Sequence, residues 1–414
     1  MPPNQAYVLD SFPAIETEET KIRVAILGCG MMGQEHISYI SGYSNLRIDF
    51  LCDPHEPSLT KAYQVLESFH KGHSLHGVSH TPQKLVDEQQ LLDRVHLIDL
   101  LVIATPNYLH TPSLLKWAKH DIYILVEKPV AVSHEQLQQL ENLNPTARIW
   151  VAMEYRYIPA IAKLQQLLPD IGDIKMITIR ENRYPFLEKV GDWNRDIQNT
   201  GDTLVEKCCH FWDLFRLLTS QEIDMKNMRS MVQRGLNYKD EPNPRETPII
   251  DSAYVIVPFL KPTHHNSESG EAYRSQNTMG VLELCMYAEG SRHQEEIIVT
   301  GTKGRLEAFL PENKVYSFRR PNREEWQDRS VPPPKASPIV YDCSNLSDVH
   351  GIGIDLPTHG GYHYSSTSVE WYYLLEAMNA HKRMNQTWKP HVSLMDGMRA
   401  VEAGLYATEV TDEE

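Results

Sequence analysis

Three glycines near the N-terminus, Gly28, Gly30 and Gly33, have the spacing Gly-x-Gly-x-x-Gly. They lie between an apolar run over 22–27 and an amphipathic stretch over 31–41, so the sequence predicts a turn that joins a strand to a helix. At such a turn, backbone N–H groups and the positive end of the helix face a bound anion. The pattern therefore indicates a pyrophosphate site for a dinucleotide. The alternative is a glycine turn with a purely structural role.

An acidic residue supports the dinucleotide interpretation. Asp53 lies 20 residues after Gly33 and directly follows a second predicted strand over 47–52. A carboxylate at that place accepts hydrogen bonds from ribose hydroxyls and repels the 2′-phosphate of NADP. We therefore expect NAD, with NADP left open because His55 or Lys61 could bind a phosphate. The expected cofactor contacts here are Gly28, Gly30, Met31, Met32, Gly33 and Asp53.

The elements that must position these residues alternate between apolar strands and amphipathic helices as far as Met153. Strands are predicted over 22–27, 47–52, 97–103, 122–126 and 148–152, and helices over 31–41, 58–70, 111–119 and from a capping box at Ser133 onward. This alternation is typical of a parallel sheet covered by helices on both faces. We expect a doubly wound Rossmann domain over residues 21–152, preceded by a disordered tail over residues 1–20.

Beyond Met153 the strands show a period of two, which is typical of an antiparallel meander. Strands are predicted over 253–259, 279–286, 296–300 and 305–309, and closing helices over 369–380 and 394–408. Polar stretches over 262–277 and 331–338 are expected to form surface loops. We therefore predict an α+β domain over residues 153–414.

Composition excludes several classes of protein. The chain has 414 residues, enough for two domains, and a formal net charge of −15 opposes nucleic-acid binding. No run approaches the roughly 18 apolar residues of a membrane span, and the N-terminal stretch lacks the features of a signal peptide. The cysteines do not have the spacing of a zinc site. We expect a cytoplasmic protein that binds neither membrane, nucleic acid nor metal.

Two further loops follow strands of the predicted parallel sheet and would lie at its carboxyl edge. They read Ala104-Thr-Pro-Asn-Tyr-Leu-His110 and Val126-Glu-Lys-Pro129. Downstream motifs are Tyr155-Arg-Tyr157-x-Pro159, Gly201-Asp-Thr-Leu-Val-Glu206-x-x-x-His210-x-x-Asp213, Gly301-Thr-Lys-Gly304, His359-Gly-Gly361 and Asp396-Gly-Met-Arg-Ala-Val401. With the glycine turn, these motifs resemble the Gfo/Idh/MocA family of sugar and cyclitol dehydrogenases, such as glucose-fructose oxidoreductase and inositol dehydrogenase.

The resemblance implies a Rossmann domain followed by an α+β domain whose large, open, mainly antiparallel sheet often makes oligomer contacts. We therefore expect a homo-oligomer, a dimer or a tetramer. The resemblance also implies that the dinucleotide lies along Thr105, Pro106, Asn107 and His110. It implies that Glu127 lies near the nicotinamide ribose and Lys128 at the reacting carbon of the substrate. The Lys128–Pro129 bond is often cis in such proteins.

Hydride transfer from an alcohol needs a base for the hydroxyl proton and a group that stabilises negative charge on the same oxygen. His210 suits the first task because an imidazole titrates near neutral pH, and the Lys128 cation suits the second. Glu206 precedes His210 by four residues, so in a helix the two side chains share a face. Glu206 would then hold the imidazole or bind a second hydroxyl. The predicted catalytic residues are Lys128, His210 and Glu206.

The motif around Glu206 departs from the family pattern, which more often has aspartate there. Small residues are usual at the positions of Asp202, Lys207, Cys208 and Cys209. Structural alternatives stay open as well. Thr203-x-x-Glu206 fits a capping box, His210 and Asp213 fit an i, i+3 surface pair, Lys128 fits an ordinary solvated lysine, and Cys208 and Cys209 fit core packing.

Substrate contacts are predicted more weakly. Candidates are Tyr155, Arg156, Trp193 and Arg195. Tyr155 to Tyr157 have an alternative role in bracing the connection between the two domains. His359 and His363 have the i, i+4 spacing of some metal sites, but two intervening glycines and the lack of carboxylates nearby in sequence favour a loop.

The resulting hypothesis is an NAD-dependent dehydrogenase or reductase that acts on a secondary alcohol or ketone of a sugar, cyclitol or derivative. Two alternatives come from relatives within the resemblance. One is a glycosidase that uses NAD for transient oxidation without net redox change. The other is a non-catalytic regulator that senses a dinucleotide.

Overall fold

The computed structural model describes residues 21–72, 80–144, 146–238, 247–260, 278–333, 337–352, 356, 363 and 365–410. The chain forms two compact units. Unit 1 contains the chain up to Tyr157 together with Gly351–Val401, and unit 2 contains Ile158–His350 and the chain from Glu402 onward. This division differs from the predicted one at residue 152, because a late segment returns to the first unit. Periodicity predicts a helix but does not say which sheet the helix covers.

The secondary structure follows the predicted order. The strands are β1 (Ile22–Leu27), β2 (Leu46–Cys52), β3 (Gln83–Leu85), β4 (Leu100–Ile103), β5 (Tyr123–Glu127), β6 (Arg148–Ala152), β7 (Ile174–Asn182), β8 (Arg229–Arg234), β9 (Ile250–Pro258), β10 (Met279–Cys285), β11 (Glu295–Gly301), β12 (Gly304–Phe309), β13 (Lys314–Arg319) and β14 (Ile339–Asp342). The helices are α1 (Met31–Ile40), α2 (Glu56–Gly72), α3 (Glu88–Leu92), α4 (His110–Trp117), α5 (His134–Glu141), α6 (Pro159–Leu167), α7 (Ile197–Thr200), α8 (Thr203–Glu206), α9 (Cys209–Thr219), α10 (Leu346–His350), α11 (Ser366–Met384) and α12 (Leu394–Glu409).

Unit 1 is built on a parallel sheet with the strand order β3-β2-β1-β4-β5-β6. All four residues of β4 and all five of β5 are buried, as expected for strands with both faces covered. The Ser133 hydroxyl accepts a hydrogen bond from Gln136 N and starts α5, which confirms the predicted cap. The order reverses between β1 and β4, so ligands are expected at the carboxyl ends of these strands.

Unit 2 is built on a sheet with the order β14-β13-β12-β11-β7-β10-β9-β8. Strands β7 and β10 pair in parallel and the other neighbours are antiparallel, which confirms a mainly antiparallel sheet. On β9, Ala253 and Val255 are buried, whereas Tyr254 and Ile256 are exposed. Helices α6, α8 and α9 contact this sheet through β12, β9 and β7.

One face of this sheet presents exposed apolar side chains, which we call the open face. The residues of the open face are Met176, Met231, Tyr254, Ile256, Met279 and Val281, each between 37% and 70% exposed. They are contiguous, because Ile256 pairs with Val281, Tyr254 with Met231, and Met279 with Met176. Within the described ranges, no helix has both the length and the apolar character needed to cross a membrane.

Candidate functional site

The glycine turn lies between β1 and α1, as the spacing predicts. Gly28 has a φ of +95°, and a Cβ on it would lie 2.4 Å from the Ala104 carbonyl oxygen. A Cβ on Gly33 would lie 2.1 Å from the Gly28 carbonyl oxygen, whereas a Cβ on Gly30 would meet no atom within 4 Å. The fold therefore requires glycine at 28 and 33, while Gly30 keeps open space above the N-terminus of α1. Gly30 is also the N-cap of α1 and gives its first turn no side-chain acceptor.

Asp53 lies at the carboxyl end of β2, beside the glycine turn. Its Oδ2 accepts a hydrogen bond from Cys29 N at 2.7 Å, and its Oδ1 accepts one from His55 N at 2.8 Å. Each carboxylate oxygen has a further lone pair, so Asp53 keeps the capacity to accept hydroxyl groups. The carboxylate thus ties β2 to the turn and holds the turn in position.

The loop after β4 carries polar side chains that face no protein partner. Thr105 Oγ1 and Asn107 Nδ2 are both buried, and neither makes a hydrogen bond within the part of the chain that the structure describes. Asn107 is only 6% exposed and begins a 3-10 helix over Asn107–Leu109. Buried polar groups almost always have partners, so these two atoms fit a ligand that supplies an acceptor and a donor.

His110 joins the two predicted ligand loops to each other. Its Nδ1 lies 2.7 Å from the Pro129 carbonyl oxygen and its Nε2 lies 2.8 Å from that of Thr105. The side chain is 1% exposed, and burial lowers its pKa although both carbonyls favour the protonated ring. Neither ring nitrogen is left for a ligand. In the structure His110 holds the loops that carry Thr105 and Lys128, and its place along the dinucleotide stays a prediction.

Glu127, the last residue of β5, is buried in a chain of hydrogen bonds. Its Oε1 lies 2.9 Å from His36 Nε2, and His36 Nδ1 accepts a hydrogen bond from Trp371 Nε1 at 3.1 Å. An indole nitrogen only donates, so the His36 proton is on Nε2 and points at Glu127. Burial raises the pKa of Glu127, but the hydrogen bond from His36 and the charge of Lys128 outweigh it and lower the pKa overall.

Lys128 directly follows Glu127, and the peptide bond between Lys128 and Pro129 is cis. The residue is half-buried, and its backbone N donates to Glu127 Oε2 at 3.2 Å. Burial raises the pKa of Glu154, and the positive charges of His363 and Lys128 oppose that rise. Lys128 therefore lies among buried charged groups, which disfavours the alternative of an ordinary solvated lysine.

His363 lies between two carboxylates of unit 1. Its Nδ1 is 2.8 Å from Glu35 Oε1 and its Nε2 is 3.3 Å from Glu154 Oε1. Few carboxylates lie near His363 along the chain, but the fold brings Glu35 and Glu154 to it from distant positions in the sequence. Across the described ranges, no group of three or more His, Cys, Asp or Glu side chains could hold a metal ion. His359 and Gly361 lie outside the described residues.

The weak candidates after β6 have structural contacts within unit 1. Arg156 Nη1 donates to the His391 carbonyl oxygen at 2.8 Å, and its Nη2 lies 3.9 Å from Asp396 Oδ1. The ring of Tyr155 meets that of His363 edge to face at a centroid distance of 6.4 Å. These contacts favour a structural role for Arg156 within unit 1, while Tyr155 lies beside His363.

In unit 2, the turn before α8 differs from the capping box considered above. Asp202, with a φ of +77°, is the N-cap, and its Oδ1 accepts from Thr203 N at 2.7 Å and from Ile250 N at 2.8 Å. The Thr203 hydroxyl donates to the Ile250 carbonyl oxygen at 2.6 Å, so Thr203 is no cap. Asp202 Oδ2 also lies 2.6 Å from Arg234 Nη1. The unusual aspartate thus fixes the start of the segment that carries Glu206 and His210 to β9.

Glu206 ends α8 and His210 is the second residue of α9, and Lys207 and Cys208 separate the two helices. The condition for a shared face, one continuous helix through both residues, is therefore not met. His210 and Asp213 are 2% and 1% exposed, so they do not form a surface pair. Glu206 is buried as well. The three polar side chains lie in the interior of unit 2, where a structural or a catalytic role must explain them.

Lys207, a second departure from the family pattern, is buried between two carboxylates. Its Nζ lies 3.3 Å from Glu181 Oε1 on β7 and 3.4 Å from Glu295 Oε1 on β11. Burial raises the pKa of Glu181 to about 8, although the charge of Lys207 opposes this. Cys208 and Cys209 are fully buried, in agreement with core packing.

The other weak substrate candidates lie in a 3-10 segment over Val190–Arg195. Arg195 is buried, donates from Nη2 to the Phe186 carbonyl oxygen at 2.8 Å, and lies over the Tyr238 ring at 4.2 Å. These contacts favour a structural role for Arg195. Trp193 is half-buried and stays a candidate.

Sequence reasoning missed several residues of unit 1 that are linked to Glu127 or to His363 by direct contacts, by a hydrogen-bond chain or by charge. They are Glu35, His36, Glu154, Glu370 and Trp371. Glu154 follows β6 as Lys128 follows β5, so its position at a strand end was a usable signal. For Trp371 and Glu370 there was no local signal, since they lie on α11, far along the chain.

The carboxyl edge of unit 1 fits a dinucleotide. It combines the open space at Gly30, the carboxylate of Asp53, and the buried atoms Thr105 Oγ1 and Asn107 Nδ2. Such a ligand needs a helix N-terminus for its pyrophosphate, an acidic side chain for its ribose hydroxyls and polar groups along the next loop.

Comparison with known proteins agrees with this geometry. Residues 22–155 match the family model described as "Oxidoreductase family, NAD-binding Rossmann fold", and residues 166–411 match "Oxidoreductase family, C-terminal alpha/beta domain". An inositol 2-dehydrogenase of Arthrobacter sp. is 28% identical over 213 residues, which are 50% of this chain and 57% of that protein. A glycosyl hydrolase family 109 protein of Shewanella woodyi is 25% identical over 142 residues, 34% of this chain and 29% of that protein.

The matches thus span at most 57% of the length of these two relatives. A solved structure of levoglucosan dehydrogenase, in complex with NADH and levoglucosan, has the same fold with a TM-score of 0.69. It is 16% identical, and the match covers 94% of this chain and 97% of that one. Because the two family models together cover most of the sequence and agree with both sheets, the chain belongs to the Gfo/Idh/MocA family of oxidoreductases, which has an NAD-binding Rossmann fold.

Proposed function

We propose that this protein is an NAD-dependent oxidoreductase that transfers a hydride between nicotinamide and a secondary alcohol or ketone of a sugar, cyclitol or derivative. The observation that carries the proposal is the carboxyl edge of unit 1. There the open space at Gly30 follows β1, and Thr105 Oγ1 and Asn107 Nδ2, which have no partners among the described residues, follow the neighbouring strand β4. Strand β4 pairs in turn with β5, which leads into Lys128. The same edge of the sheet thus combines features that would bind a dinucleotide with the cationic side chain of Lys128.

Each residue has a defined task in this proposal. A bound nicotinamide supplies the carbon that accepts or donates the hydride. Lys128 stabilises negative charge on the substrate oxygen, and His210 takes the hydroxyl proton in oxidation or returns it in reduction. Glu206 binds a second hydroxyl or orients the imidazole. Glu127 stays ionised, since its hydrogen bond from His36 lowers its pKa, and it accepts from a ribose hydroxyl or from Lys128 N.

The preference for NAD over NADP follows from Asp53. Its carboxylate is held in place by Cys29 N and His55 N, so it has little freedom to turn away from a 2′-phosphate. Asp53→Asn keeps one oxygen acceptor but removes the charge. We expect this variant to bind NADP more tightly relative to NAD by about tenfold, measured as the ratio of the two Kd values.

The activity is tested by following nicotinamide absorbance with a panel of polyols, cyclitols, sugars and their keto derivatives. Lys128→Ala should lower kcat by a factor of roughly 100 or more, while the Kd of NAD stays within about twofold. Lys119→Ala, which changes an exposed lysine of unit 1, serves as the matched control. Normal turnover by Lys128→Ala would contradict the proposal.

A second candidate is a glycosidase that uses bound NAD for transient oxidation, because a glycosyl hydrolase family 109 protein is among the relatives. The two functions differ in their products. A dehydrogenase accumulates NADH in proportion to the oxidised sugar, whereas a glycosidase releases free sugar and accumulates no NADH. Product analysis by chromatography together with absorbance therefore decides between them.

The homo-oligomer is also a proposal, supported by the open face. Its contiguous apolar side chains are exposed in the single chain, and monomeric proteins seldom expose a continuous patch of this kind. The occupant we propose is the same face of a second copy of this chain, which makes a two-fold symmetric contact.

A further inference from the structure

Unit 1 contains a group of buried charged side chains behind Lys128 that the proposed reaction does not use. Glu154 follows β6, is 1% exposed, and is contacted by His363. His363 also contacts Glu35 on α1, whose Oε1 accepts a further hydrogen bond from Thr367 on α11 at 2.8 Å. The bridge therefore connects the end of β6, the cofactor helix α1 and the N-terminus of α11.

We propose that Glu154 is a positioning residue for Lys128: held by His363 against Glu35, its carboxylate fixes and stabilises the ammonium group that acts on the substrate oxygen. The inference deepens the proposed function and rests on it. It adds Glu154 and His363 to the residues on which the reaction depends, although neither needs to touch the substrate.

The backbone brings the two residues to the same place. In the parallel pairing of β5 with β6, Glu127 lies opposite Ala152, so the chain segments that follow both strands leave the sheet side by side. Lys128 is the first residue of one segment and Glu154 the second residue of the other. The charge of Lys128 acts on both Glu154 and His363. Because Glu154 is shielded from water, its attraction for a nearby ammonium group is stronger than at a surface.

His363 contacts Glu154 and acts against the cost of its burial: burial raises the pKa of Glu154 overall, and the charge of His363 opposes that rise. The groups that face Glu154 are Glu127 and Lys128 from the end of β5, His363 before α11, and Glu370 on α11. Burial lowers the pKa of His363, but Glu35 and Glu154 outweigh burial and raise it to about 9. His363 is therefore a cation at neutral pH and compensates the two carboxylates that it contacts.

Glu370 offers a matched control in the same cluster. Burial and the charge of Glu154 raise its pKa well above the ordinary value, which favours the neutral acid. Its Oε1 accepts from Trp150 Nε1 at 3.1 Å, and its Oε2 has no partner among the residues described. Glu370→Gln and Glu154→Gln make the same exchange at two buried carboxyl groups, and His363 contacts that of Glu154.

The consequence for Lys128 has a definite sign. A carboxylate nearby favours the protonated amine, so its removal should make Lys128 lose its proton at lower pH. The experiment uses the full chain with ¹³C-methylated lysines and follows each dimethylamine signal by NMR against pH. Lys128→Arg identifies the signal of Lys128 by its disappearance.

In Glu154→Gln the titration midpoint of Lys128 should fall by about one pH unit. In Glu154→Asp, which keeps a carboxylate, the midpoint should stay close to the wild-type value. Glu370→Gln should leave the midpoint unchanged within about 0.3 units. In His363→Gln the midpoint should also fall, because Glu154 loses its fixed position. If His363 acted only through its charge, its removal would instead raise the midpoint.

An unchanged midpoint in Glu154→Gln, or equal shifts in Glu154→Gln and Glu370→Gln, would overturn the inference. The titration uses no substrate, so its failure leaves the proposed dehydrogenase untouched. Conversely, absence of turnover across the sugar panel together with the expected shift would reject the proposed function while the coupling of Glu154 to Lys128 stands. If Glu154→Gln does not fold, His363→Gln still tests the inference: a midpoint that does not fall in this variant would overturn it, and Glu154→Asp should keep the midpoint close to that of the wild type.

Discussion

Gly30 and Gly33 belong to the same turn, yet their surroundings differ. The position of a Cβ on Gly33 is already occupied by the Gly28 carbonyl oxygen, while the space above Gly30 is free among the described residues. Glycine at 33 is thus a requirement of the fold. Glycine at 30 is a requirement of whatever binds above it, since its φ of −70° is accessible to any residue.

This difference can be measured with two alanine variants. Gly30→Ala should leave the thermal midpoint within about 2 °C of wild type and weaken NAD binding by roughly tenfold or more, because the methyl group occupies the pyrophosphate space. Gly33→Ala should lower the thermal midpoint clearly, since backbone atoms must move to admit the Cβ. Equal affinity of wild type and Gly30→Ala for NAD would contradict the assignment of this turn.

At the scale of single residues, the sequence predicts the role of a residue when its partners are near in the chain or when its spacing is fixed by the ligand. The glycine turn and Asp53 are of this kind. The roles of His110, Lys207 and His363 could not be predicted, because their partners lie on other strands and loops. Asp202 belongs to both groups: its cap on Thr203 is local, but its bonds to Ile250 and Arg234 are not.

At the scale of elements, Asp202 joins α8 to β9 and to β8 through a single buried side chain. Asp202→Ala removes the cap on Thr203 N and the hydrogen bond from Ile250 N, and it leaves Arg234 without its carboxylate. We therefore expect a loss of about 3 kcal/mol in the free energy of unfolding. Asp196→Ala removes the N-cap of α7, where the side chain accepts an exposed hydrogen bond from Gln198 N, and should cost about 1 kcal/mol. Denaturant titration of both variants gives the comparison. Equal losses would show that the bonds of Asp202 beyond its own helix contribute nothing.

The His363 bridge between α1 and α11 should make stability depend on pH. Burial opposes ionisation of Glu35, but His363 lowers its pKa to about 2, and the pKa of His363 is raised to about 9. The contribution of Glu35 is therefore lost only as pH falls from 4.5 through about 2. That of His363 is complete below 6.5 and is lost as pH rises through about 9. The thermal midpoints of wild type and His363→Gln should differ most near about pH 5.5 and converge only above about pH 9.

His391 provides the opposite control, because burial lowers its pKa. Its protonation works against the folded state, so His391→Gln should gain stability relative to wild type as pH falls below 6.5. A pH-independent difference between wild type and His363→Gln would argue against a charged bridge.

Periodicity predicts the elements of unit 1 well, because strands buried on both faces are continuous apolar runs. The bounds of β1 and β6 agree residue by residue with the prediction. Strands β7, β8, β13 and β14 were missed, since their residues are partly exposed and mix polar with apolar types. The short β3 was also missed, as it pairs only at the sheet edge.

At the scale of the whole molecule, the open face predicts self-association. Ile256 lies inside this face, between Val281 on β10 and Arg229 on β8. Ile256→Lys places a charge in the proposed contact and should shift the protein from an oligomer to a smaller species at micromolar concentration. Sedimentation velocity measures the change.

Val86→Lys is the matched control, because Val86 is 50% exposed but lies in unit 1, outside the open face. It should leave the oligomer intact. A monomeric wild type, or an oligomer unaffected by Ile256→Lys, would reject the proposed contact.

The bridge and the hydrogen-bond chain around Lys128 also constrain how the protein is made. Glu35, His36, Glu127 and Glu154 leave the ribosome early, whereas their partners His363, Glu370 and Trp371 follow only after all of Ile158–His350 has been synthesised. During translation the nascent Rossmann sheet therefore carries uncompensated buried acids and an incomplete lysine environment. We expect an expressed fragment that stops at residue 157 to need chaperones or to aggregate. A deletion variant that joins residues 351–401 directly to that fragment should fold, because it contains both parts of unit 1.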